Sequence, residues 1–290
     1  MNRIVTIQDI SCIGKCSLTV ALPIISAMGV ETAVIPTAVL STHTMFSGFT
    51  FADLTDQIRP IGEHWKKENF DFNAIYTGYL GSFEQIRLAS AFMDDFQKKN
   101  TLIFVDPVMA DNGQLYAGFD LEFAKEMKKL CARADVIMPN ITEAALLTET
   151  PYREVPNEAY LTELLQKLAS LGPGYVVLTG YSPVPDRIGV IAMETASGHI
   201  FRYDTPKQPR SYHGTGDIFS STLVGGMMNG FSLEEALKTA CDFTSECIRI
   251  TIADPDSRNY GVSFETALPF LINLRSQSPA LQENPKETVS

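Results

Sequence analysis

Ser211-Tyr-His-Gly-Thr-Gly-Asp-Ile-Phe-Ser-Ser221 is the stretch that decides the fold of this chain. Two glycines flank Thr215, Asp217 follows at once, and apolar residues then recur at helical spacing from Ile218 onward. This pattern predicts a tight turn that opens directly into a buried helix. The first N–H groups of a helix have no partner within it and lie at the positive end of its dipole. Glycines at 214 and 216 would let those groups approach an anion closely.

Asp217 adds a carboxylate beside this predicted anion site. Backbone amides for an oxyanion and one carboxylate that accepts a proton are what phosphoryl transfer to an alcohol requires. The same residues also make an ordinary helix start, in which Asp217 merely stabilises the first turn, and the stretch alone leaves both interpretations open. Because a helix N-terminus lowers the pKa of an acid, we expect Asp217 to be a weak free base that accepts the proton late. Neither a dinucleotide fingerprint nor a P-loop is present, so any use of ATP must proceed without a Walker motif.

The composition is that of an acidic globular protein. Of the 290 residues 45% are hydrophobic, and the formal net charge is −11, which argues against nucleic acid as a partner. The 5 cysteines are scattered without metal-ligand spacing, as expected of reduced thiols. We find no signal peptide and no apolar run of the ~20 residues that a transmembrane helix needs. We therefore expect a cytoplasmic protein that does not act at a membrane.

Apolar runs that alternate with helical patterns predict an α/β fold with a mostly parallel sheet covered on both faces. The clearest strands are Arg3–Gln8, Ala74–Thr77, Leu102–Asp106 and Tyr175–Thr179. The segment Phe51–Lys67 is predicted as helix. We find no internal repeat and no linker, so we predict one domain over residues 1–275, followed by a disordered polar tail at 276–290.

Ligands of such a sheet bind beyond the carboxyl ends of its strands, and here those ends are polar. The polar residues are Asp9, Thr37, Tyr79, Asp106, Asn140 with Glu143, and Thr179. Asp106 and Asp111 would suit a Mg²⁺ ion that keeps most of its waters, but Asp106 could equally cap the loop that follows it. Asn140 and Glu143 have the spacing of a capping box, and their place at a strand end allows a magnesium or phosphate role as well.

Taken together, these motifs resemble the ribokinase superfamily. The motifs are Gly214-Thr-Gly-Asp217, Asp106-Pro-Val-Met109, Asn140-x-x-Glu143 and the strand-ending Thr179. Within the superfamily a second set resembles the pyridoxal kinases: Gln8 before a glycine loop, Thr37, Ser41-Thr-His-Thr44 and Gly78-Tyr-Leu-Gly-Ser82. The resemblance covers about residues 2–275 and implies a ribokinase-like three-layer α/β/α fold with a central, mostly parallel sheet.

The resemblance also implies an activity, the ATP-dependent phosphorylation of the 5′-hydroxyl of pyridoxal, pyridoxine or pyridoxamine. Asp217 would be the catalytic base, and Gly214, Thr215 and Gly216 would form the anion hole for the transferred group. Implied at the nucleotide are Asp106, Asn140, Glu143, Thr179, Tyr212 and Thr215, of which Asp106 and Glu143 would face Mg²⁺. Implied at the pyridine ring are Asp9, Thr37, His43 and Tyr79, and implied in a lid are Asp111 and Tyr116. A K⁺ activator and a homodimer are further implications.

Asp9 departs from the pyridoxal kinase pattern. Familiar members have a serine there that hydrogen-bonds the pyridine, and they have a histidine where this chain has Ile10. A carboxylate can pair with a protonated ring nitrogen or accept from the ring hydroxyl, so Asp9 could shift the preference among vitamers or towards a hydroxymethylpyrimidine. The alternatives are therefore a hydroxymethylpyrimidine kinase, an enzyme with both activities, and a non-catalytic vitamer-binding protein. The intact Asp217 argues against the last of these.

Overall fold

The protein is described by a computed structural model of residues 1–282. Eleven strands are formed within these residues: β1 Arg3–Ser11, β2 Glu31–Leu40, β3 Phe51–Asp53, β4 Ala74–Thr77, β5 Leu102–Val105, β6 Ala110–Asp111, β7 Gln114–Leu115, β8 Val136–Ile137, β9 Tyr175–Tyr181, β10 Arg187–Glu194 and β11 Ile200–Pro206. The helices of the same residues are α1 Leu18–Ala27, α2 Thr55–Lys67, α3 Phe83–Phe96, α4 Leu121–Cys131, α5 Ile141–Leu147, α6 Glu158–Ala169, α7 Thr215–Met228, α8 Leu233–Ala253, α9 Phe264–Gln277 and α10 Pro279–Gln282.

Nine of these strands form one sheet, in the order β11-β10-β9-β8-β5-β4-β1-β2-β3. The six central strands, from β9 to β2, run parallel, whereas β3, β10 and β11 pair antiparallel at the two edges. The parallel strands β4, β5 and β8 are buried along almost their whole length, as expected when helices cover both faces. Since parallel strands end on the same side of the sheet, the carboxyl ends of five strands lie next to one another. These strands are β1, β4, β5, β8 and β9.

Two hydrophobic cores lie on opposite faces of the sheet, and they confirm the predicted three-layer α/β/α fold. Helices α2 to α6 pack on one face, where a buried cluster contains Ile58, Phe92 and Leu164. Helices α1, α7, α8 and α9 pack on the other face, where the cluster contains Ile24, Leu223 and Phe243. The alternation of strands and helices in the sequence was therefore sufficient to predict the architecture.

The predicted helix over Phe51–Lys67 is wrong in its first turn. Residues Phe51–Asp53 form the short edge strand β3, which pairs antiparallel with Ala38–Leu40 of β2. The helix begins only at Thr55, whose N–H is bonded by the Asp53 carboxylate. Residues 51–53 form a strand because β2 has unpaired backbone N–H and C=O groups there.

The chain beyond α8 is helical for longer than predicted. α9 continues to Gln277 and α10 spans Pro279–Gln282, so the disordered tail expected from residue 276 does not begin there. Ala280 and Leu281 pack against the hydrophobic cluster beneath α7 to α9, which gives these residues a reason to be ordered. Residues 283–290, the rest of the predicted tail, lie outside the described residues.

Candidate active site

A cavity of about 400 Å³ opens beyond the carboxyl ends of the parallel strands. Its walls come from the ends of β5, β8 and β9, the β10–β11 hairpin, the N-terminus of α7 and one face of α8. Eleven of the residues selected from the sequence line this cavity: Asp106, Asp111, Tyr116, Asn140, Glu143, Thr179, Tyr212, Gly214, Thr215, Gly216 and Asp217. The structure therefore brings together the predicted nucleotide, lid and anion-hole residues.

The start of α7 is shaped in different ways by Gly214, its N-cap, and by Gly216 in its first turn. Gly214 is the N-cap of α7 and has φ 79°, a left-handed conformation that favours glycine. A Cβ on Gly214 would lie 2.0 Å from the carbonyl oxygen of Lys15, so no larger residue fits against that loop. A Cβ on Gly216 would meet nothing within 4 Å, because it would project into the open cavity. The turn thus leaves free space directly in front of the first N–H groups of α7.

Asp217 lies in the first turn of α7 and lines the cavity. Burial raises the pKa of its carboxyl to about 6, the backbone N–H of Ser17 opposes that rise, and the charge of Asp9 adds to it. The expected lowering of this pKa by the helix N-terminus is therefore wrong, because removal of the carboxylate from water is the larger effect. A carboxylate with a pKa near 6 is a better proton acceptor at neutral pH than an exposed aspartate.

The carboxylate of Asp106 is hydrogen-bonded by a side chain of α7. Ser220, one turn after Asp217, donates from its hydroxyl to Oδ2 of Asp106 at 2.7 Å. Burial and the nearby charge of Asp217 raise the pKa of Asp106 to about 7, against the lowering effect of that hydrogen bond. Both carboxylates line the cavity, and the charge of Asp217 makes Asp106 harder to ionise.

Asn140 and Glu143 form the capping box at the start of α5. The Asn140 side chain accepts from the N–H of Glu143 at 2.9 Å, and Oε2 of Glu143 accepts from the N–H of Asn140 at 2.9 Å. Oε1 of Glu143 accepts from the N–H of Met109 at 3.0 Å, which ties the box to the loop after β5. Burial, followed by the charge of Asp106, raises the pKa of Glu143 well above its usual value. The predicted capping role is therefore confirmed, and both residues also line the cavity, whereas their magnesium or phosphate role stays a prediction.

The predicted lid residues belong to a small hairpin over the cavity. β6 and β7 pair antiparallel, and Asp111 stands at the tip of β6 while Tyr116 follows β7. The N–H of Tyr116 donates to the carbonyl of Met109 at 2.9 Å, and the N–H of Gly113 donates to the Thr142 hydroxyl at 3.0 Å. This hairpin is not evident in the sequence, where four strand residues carry too weak a pattern to predict one.

The four residues predicted for the pyridine ring do not line this cavity. Asp9 is 5% exposed at the end of β1, where the Ser11 hydroxyl donates to Oδ2 at 3.3 Å, and burial raises its pKa. Thr37 is buried in β2. The Tyr79 ring lies 5.7 Å from that of Phe119, and the pKa of Tyr79 is raised by burial and by Asp9.

Two contacts connect this second group to the cavity. The ring of His43 lies 4.7 Å from the ring of His213, which immediately precedes the glycine turn. Asp9 and Asp217 are close enough for the charge of Asp9 to raise the pKa of Asp217. Asp9 and Asp217 therefore lie near each other, where the residues predicted for the ring approach the cavity.

Several cavity residues were not found from the sequence. Lys207 and Arg210 line the cavity from the loop between β11 and α7, and within residues 1–282 no ion pair to either side chain is formed. Ser220, which bonds Asp106, was missed as well, and so was Thr244, whose buried hydroxyl has no hydrogen-bond partner among the described residues. A helical serine or threonine and a loop lysine or arginine carry no sequence signal of their own. Only the helical spacing of Ser220 from Asp217 could have indicated a shared face.

Comparison with known proteins places this geometry in a family. The sequence model of the phosphomethylpyrimidine kinase family matches residues 22–261. The chain belongs to this family. A Bacteroides thetaiotaomicron protein classed with the phosphomethylpyrimidine kinases is 42% identical over 93% of each chain, with a TM-score of 0.90. Another crystal form of that protein contains pyridoxal.

Pyridoxal kinases are also among the relatives. The structure of pyridoxal kinase from Lactobacillus plantarum has a TM-score of 0.88 and 31% identity, covering 95% of this chain and 98% of that one. A pyridoxine/pyridoxal/pyridoxamine kinase of Bordetella avium is 26% identical over 86% of this chain and 85% of its own length. The family assignment and the pyridoxal kinase resemblance are thus confirmed, and the protein is a kinase of the ribokinase-like superfamily. No helix within residues 1–282 combines the length and hydrophobicity needed to span a bilayer.

Proposed function

We propose that the protein transfers the terminal phosphate of ATP to the 5′-hydroxyl of a vitamin B6 vitamer. The observation that supports this most strongly is that Asp217 lies between two parts of the site, one suited to a nucleotide and one suited to an aromatic ring. On one side is a cavity with a glycine turn at its end, large enough for a nucleotide. On the other side is a buried group, Asp9 with Tyr79, suited to a small aromatic ring. A base between a phosphate site and a ring site is the arrangement that phosphoryl transfer to a hydroxymethyl group needs.

The turn formed by Gly214, Thr215 and Gly216 would hold the transferred phosphoryl group. Its N–H groups lie at the positive end of the α7 dipole, and the open space in front of Gly216 leaves room for phosphate oxygens. Asp217 would accept the proton of the substrate hydroxyl as the new bond to phosphorus forms. Because its pKa is about 6, most Asp217 side chains are charged at neutral pH and ready for this role.

Mg²⁺ fits the acids of the cavity as a weakly held, phosphate-dependent ion. Within residues 1–282 no cluster of three or more His, Cys, Asp or Glu side chains could hold a metal, which argues against an all-protein site. Mg²⁺ commonly takes one or two carboxylates, several waters and the substrate phosphates, and Asp106 and Glu143 supply carboxylates in the wall. When bound it would neutralise phosphate charge. Ser220 would keep one oxygen of Asp106 engaged, so that the other faces the cavity.

The nucleotide would be held by the remaining cavity residues. Thr179 near the end of β9, Asn140, Tyr212 and Thr215 line the cavity and would contact the phosphates, and the lid residues Asp111 and Tyr116 would cover them. Lys207 and Arg210 provide local positive charge in a chain of net charge −11, which would otherwise repel ATP.

Asp9, Thr37, His43 and Tyr79 would bind the vitamer. A carboxylate that is buried and bonded by Ser11 has capacity for one more donor, such as a protonated pyridine nitrogen or the ring hydroxyl. An aminopyrimidine presents donors of the same kind. Phosphorylation of a hydroxymethylpyrimidine is therefore the second candidate function, and the match to the phosphomethylpyrimidine kinase family favours keeping it.

We further propose a homodimer that works in the cytoplasm and is activated by K⁺. The exposed edge of the sheet supports self-association, because Phe51 of β3 is 59% exposed and the nearby Phe49 and Met45 are also exposed. Sedimentation in solution tests the dimer, and comparison of turnover in K⁺ and Na⁺ buffers tests the cation.

The function itself is tested by identifying the product. Purified protein is incubated with ATP, Mg²⁺ and either pyridoxal or hydroxymethylpyrimidine, and ³¹P spectra are recorded. A new phosphate monoester on pyridoxal supports the proposal, and one found on the pyrimidine alone favours the second candidate. ATP hydrolysis without any ester would contradict both.

A further inference from the structure

The tip of the β6–β7 hairpin is held by two side chains that have no part in the proposed chemistry. The N–H of Gly113, in the turn between the two strands, donates to the Thr142 hydroxyl of α5 at 3.0 Å. A Cβ on Gly113 would lie 2.8 Å from Cδ1 of Tyr152, so the ring of Tyr152 packs directly against the backbone of the turn. Asn112 and Gly113 both have positive φ, as the central residues of a type I′ turn require. The turn is therefore docked onto α5 and onto the loop that follows α5.

The other end of the hairpin is fixed to the same helix. The Asn140 side chain donates to the carbonyl of Ala110 at 2.8 Å, and Oε1 of Glu143 accepts from the N–H of Met109 at 3.0 Å. The two capping-box residues thus bond the start of β6, and Thr142, which lies between them in the sequence, bonds the turn. Since α5 holds the hairpin at both ends, the position of the hairpin is set by this helix.

The stability of α5 does not account for a hydroxyl at Thr142. The capping bonds of the helix are already made by Asn140 and Glu143. Thr142 is only 3% exposed, and a hydroxyl so far from water needs a hydrogen-bond partner, which the hairpin turn supplies. Among residues 1–282, the cavity lining does not include Thr142 or Tyr152. These two residues can therefore act on a ligand of the cavity only through the hairpin.

We propose that Thr142 and Tyr152 are positioning residues that keep the lid formed before the nucleotide binds. They hold the turn, and the turn fixes β6 and β7, at whose ends Asp111 and Tyr116 line the cavity. A lid that is already in place loses less conformational entropy on binding and admits less water beside the transferred phosphate. This inference rests on the proposed function, because it takes the cavity to bind ATP and the hairpin to cover it.

Thr142→Val removes the hydroxyl but keeps the size and branching of the side chain. We expect KM for ATP to rise about fivefold, the effect of one lost neutral hydrogen bond, while KM for the vitamer stays within about twofold. Thr142→Ser keeps the hydroxyl and should keep the wild-type KM for ATP. Thr148→Val is the matched control, because the Thr148 hydroxyl donates to the Ala144 carbonyl at 2.7 Å at the opposite end of α5. This control should leave both KM values unchanged.

Tyr152→Ala tests the second contact with the turn. The Tyr152 side chain lies in a loop and is partly exposed, so its removal leaves no buried polar group unpaired and the protein should fold. KM for ATP should rise severalfold, because the ring no longer packs on Gly113. This variant keeps the inference testable if Thr142→Val does not fold.

Hydrogen–deuterium exchange over residues 109–116 gives a readout that a general loss of stability would not move. Exchange of the hairpin should be faster in Thr142→Val and Tyr152→Ala, whereas exchange of the central strand β5 should stay at the wild-type rate. Thr142→Ser and Thr148→Val should both exchange like the wild type. The two lid variants should also hydrolyse more ATP for each ester formed, because water reaches the phosphate more easily.

ADP binding, measured by calorimetry, distinguishes failure of this inference from failure of the proposed function. Wild-type protein that binds ADP but phosphorylates no vitamer contradicts the kinase proposal, and the exchange rates and Kd values of the variants then decide the role of Thr142 and Tyr152. Wild-type protein that binds no ADP contradicts both. Wild-type exchange of the hairpin in Thr142→Val and Tyr152→Ala, or faster exchange with an unchanged KM for ATP, would overturn the inference.

Discussion

Replacement of Asp217 by asparagine should make the protein inactive and more stable at the same time. The carboxyl has a pKa of about 6 in the folded protein, against 3.8 for an unperturbed aspartate. For an acid whose pKa is raised by folding, the cost of the buried charge is absent below the unfolded pKa and complete above the folded one. The shift of about two units corresponds to at most about 3 kcal/mol, and partial exposure of Asp217 to the cavity reduces this to roughly 1–3 kcal/mol.

Asparagine has nearly the shape of aspartate and keeps a side-chain oxygen that can accept a hydrogen bond. It also removes the charge that raises the pKa of Asp106, which adds to the gain at neutral pH. At pH 7.5 we therefore expect the melting temperature of Asp217→Asn to exceed that of the wild type by a few degrees. Turnover should fall by roughly 10³-fold or more, because no group remains to accept the proton.

The assay is a thermal melt of both proteins from pH 4 to 8, together with turnover at each pH where they are folded. The stability difference should grow between about pH 4 and pH 6 as Asp217 ionises in the folded wild type, grow further as Asp106 ionises near pH 7, and then level off. An equal or lower melting temperature for Asp217→Asn at pH 7.5 would refute the reasoning about burial. Unchanged turnover would refute the role of Asp217.

The other predictions concern the glycines at the start of α7, the residue Asp9 assigned to the pyridine ring, and the capping box of α5. Gly214→Ala should lower both the melting temperature and turnover, because its Cβ would lie 2.0 Å from the Lys15 carbonyl oxygen. Gly216→Ala should fold normally, because its Cβ has open space, and should raise KM for ATP about tenfold. Calorimetric melts and steady-state kinetics of the two variants check this pair. Asp9→Ser should reduce discrimination between pyridoxal and hydroxymethylpyrimidine, measured as the ratio of their kcat/KM values; an unchanged ratio would remove Asp9 from substrate recognition. Glu143→Gln, which loses one of the two oxygens that accept from backbone N–H groups, should raise the Mg²⁺ concentration for half-maximal rate severalfold.

Residues with strong local patterns were predictable. The glycine turn and Asp217 could be placed from sequence because left-handed glycine and a helix start leave a clear signal, and the structure has both. The fold class followed from strands such as Leu102–Val105, which are apolar throughout and therefore buried on both faces. The gathering of Asp106, Asn140 and Thr179 at one cavity followed from the rule that parallel strands end on the same side.

Features that depend on tertiary context were not predictable. The pKa of Asp217 was expected to fall, because the dipole of its own helix is visible in the sequence whereas its burial is not. The hairpin β6–β7 is too short for a periodic pattern, and its loop is fixed by the distant Thr142. The positive φ of Ser17 has no sequence signature, because serine before a helix ordinarily indicates a cap.

The most direct test of the account compares phosphorylation of pyridoxal, pyridoxamine, pyridoxine and hydroxymethylpyrimidine by the wild type and by Asp217→Asn, with ATP and Mg²⁺. The account predicts that a B6 vitamer has the highest kcat/KM with the wild type, and that Asp217→Asn binds the same vitamer but does not phosphorylate it. Turnover on none of the four substrates, or equal turnover by the two proteins, would contradict the assignment of this site as a vitamer kinase with Asp217 as its base.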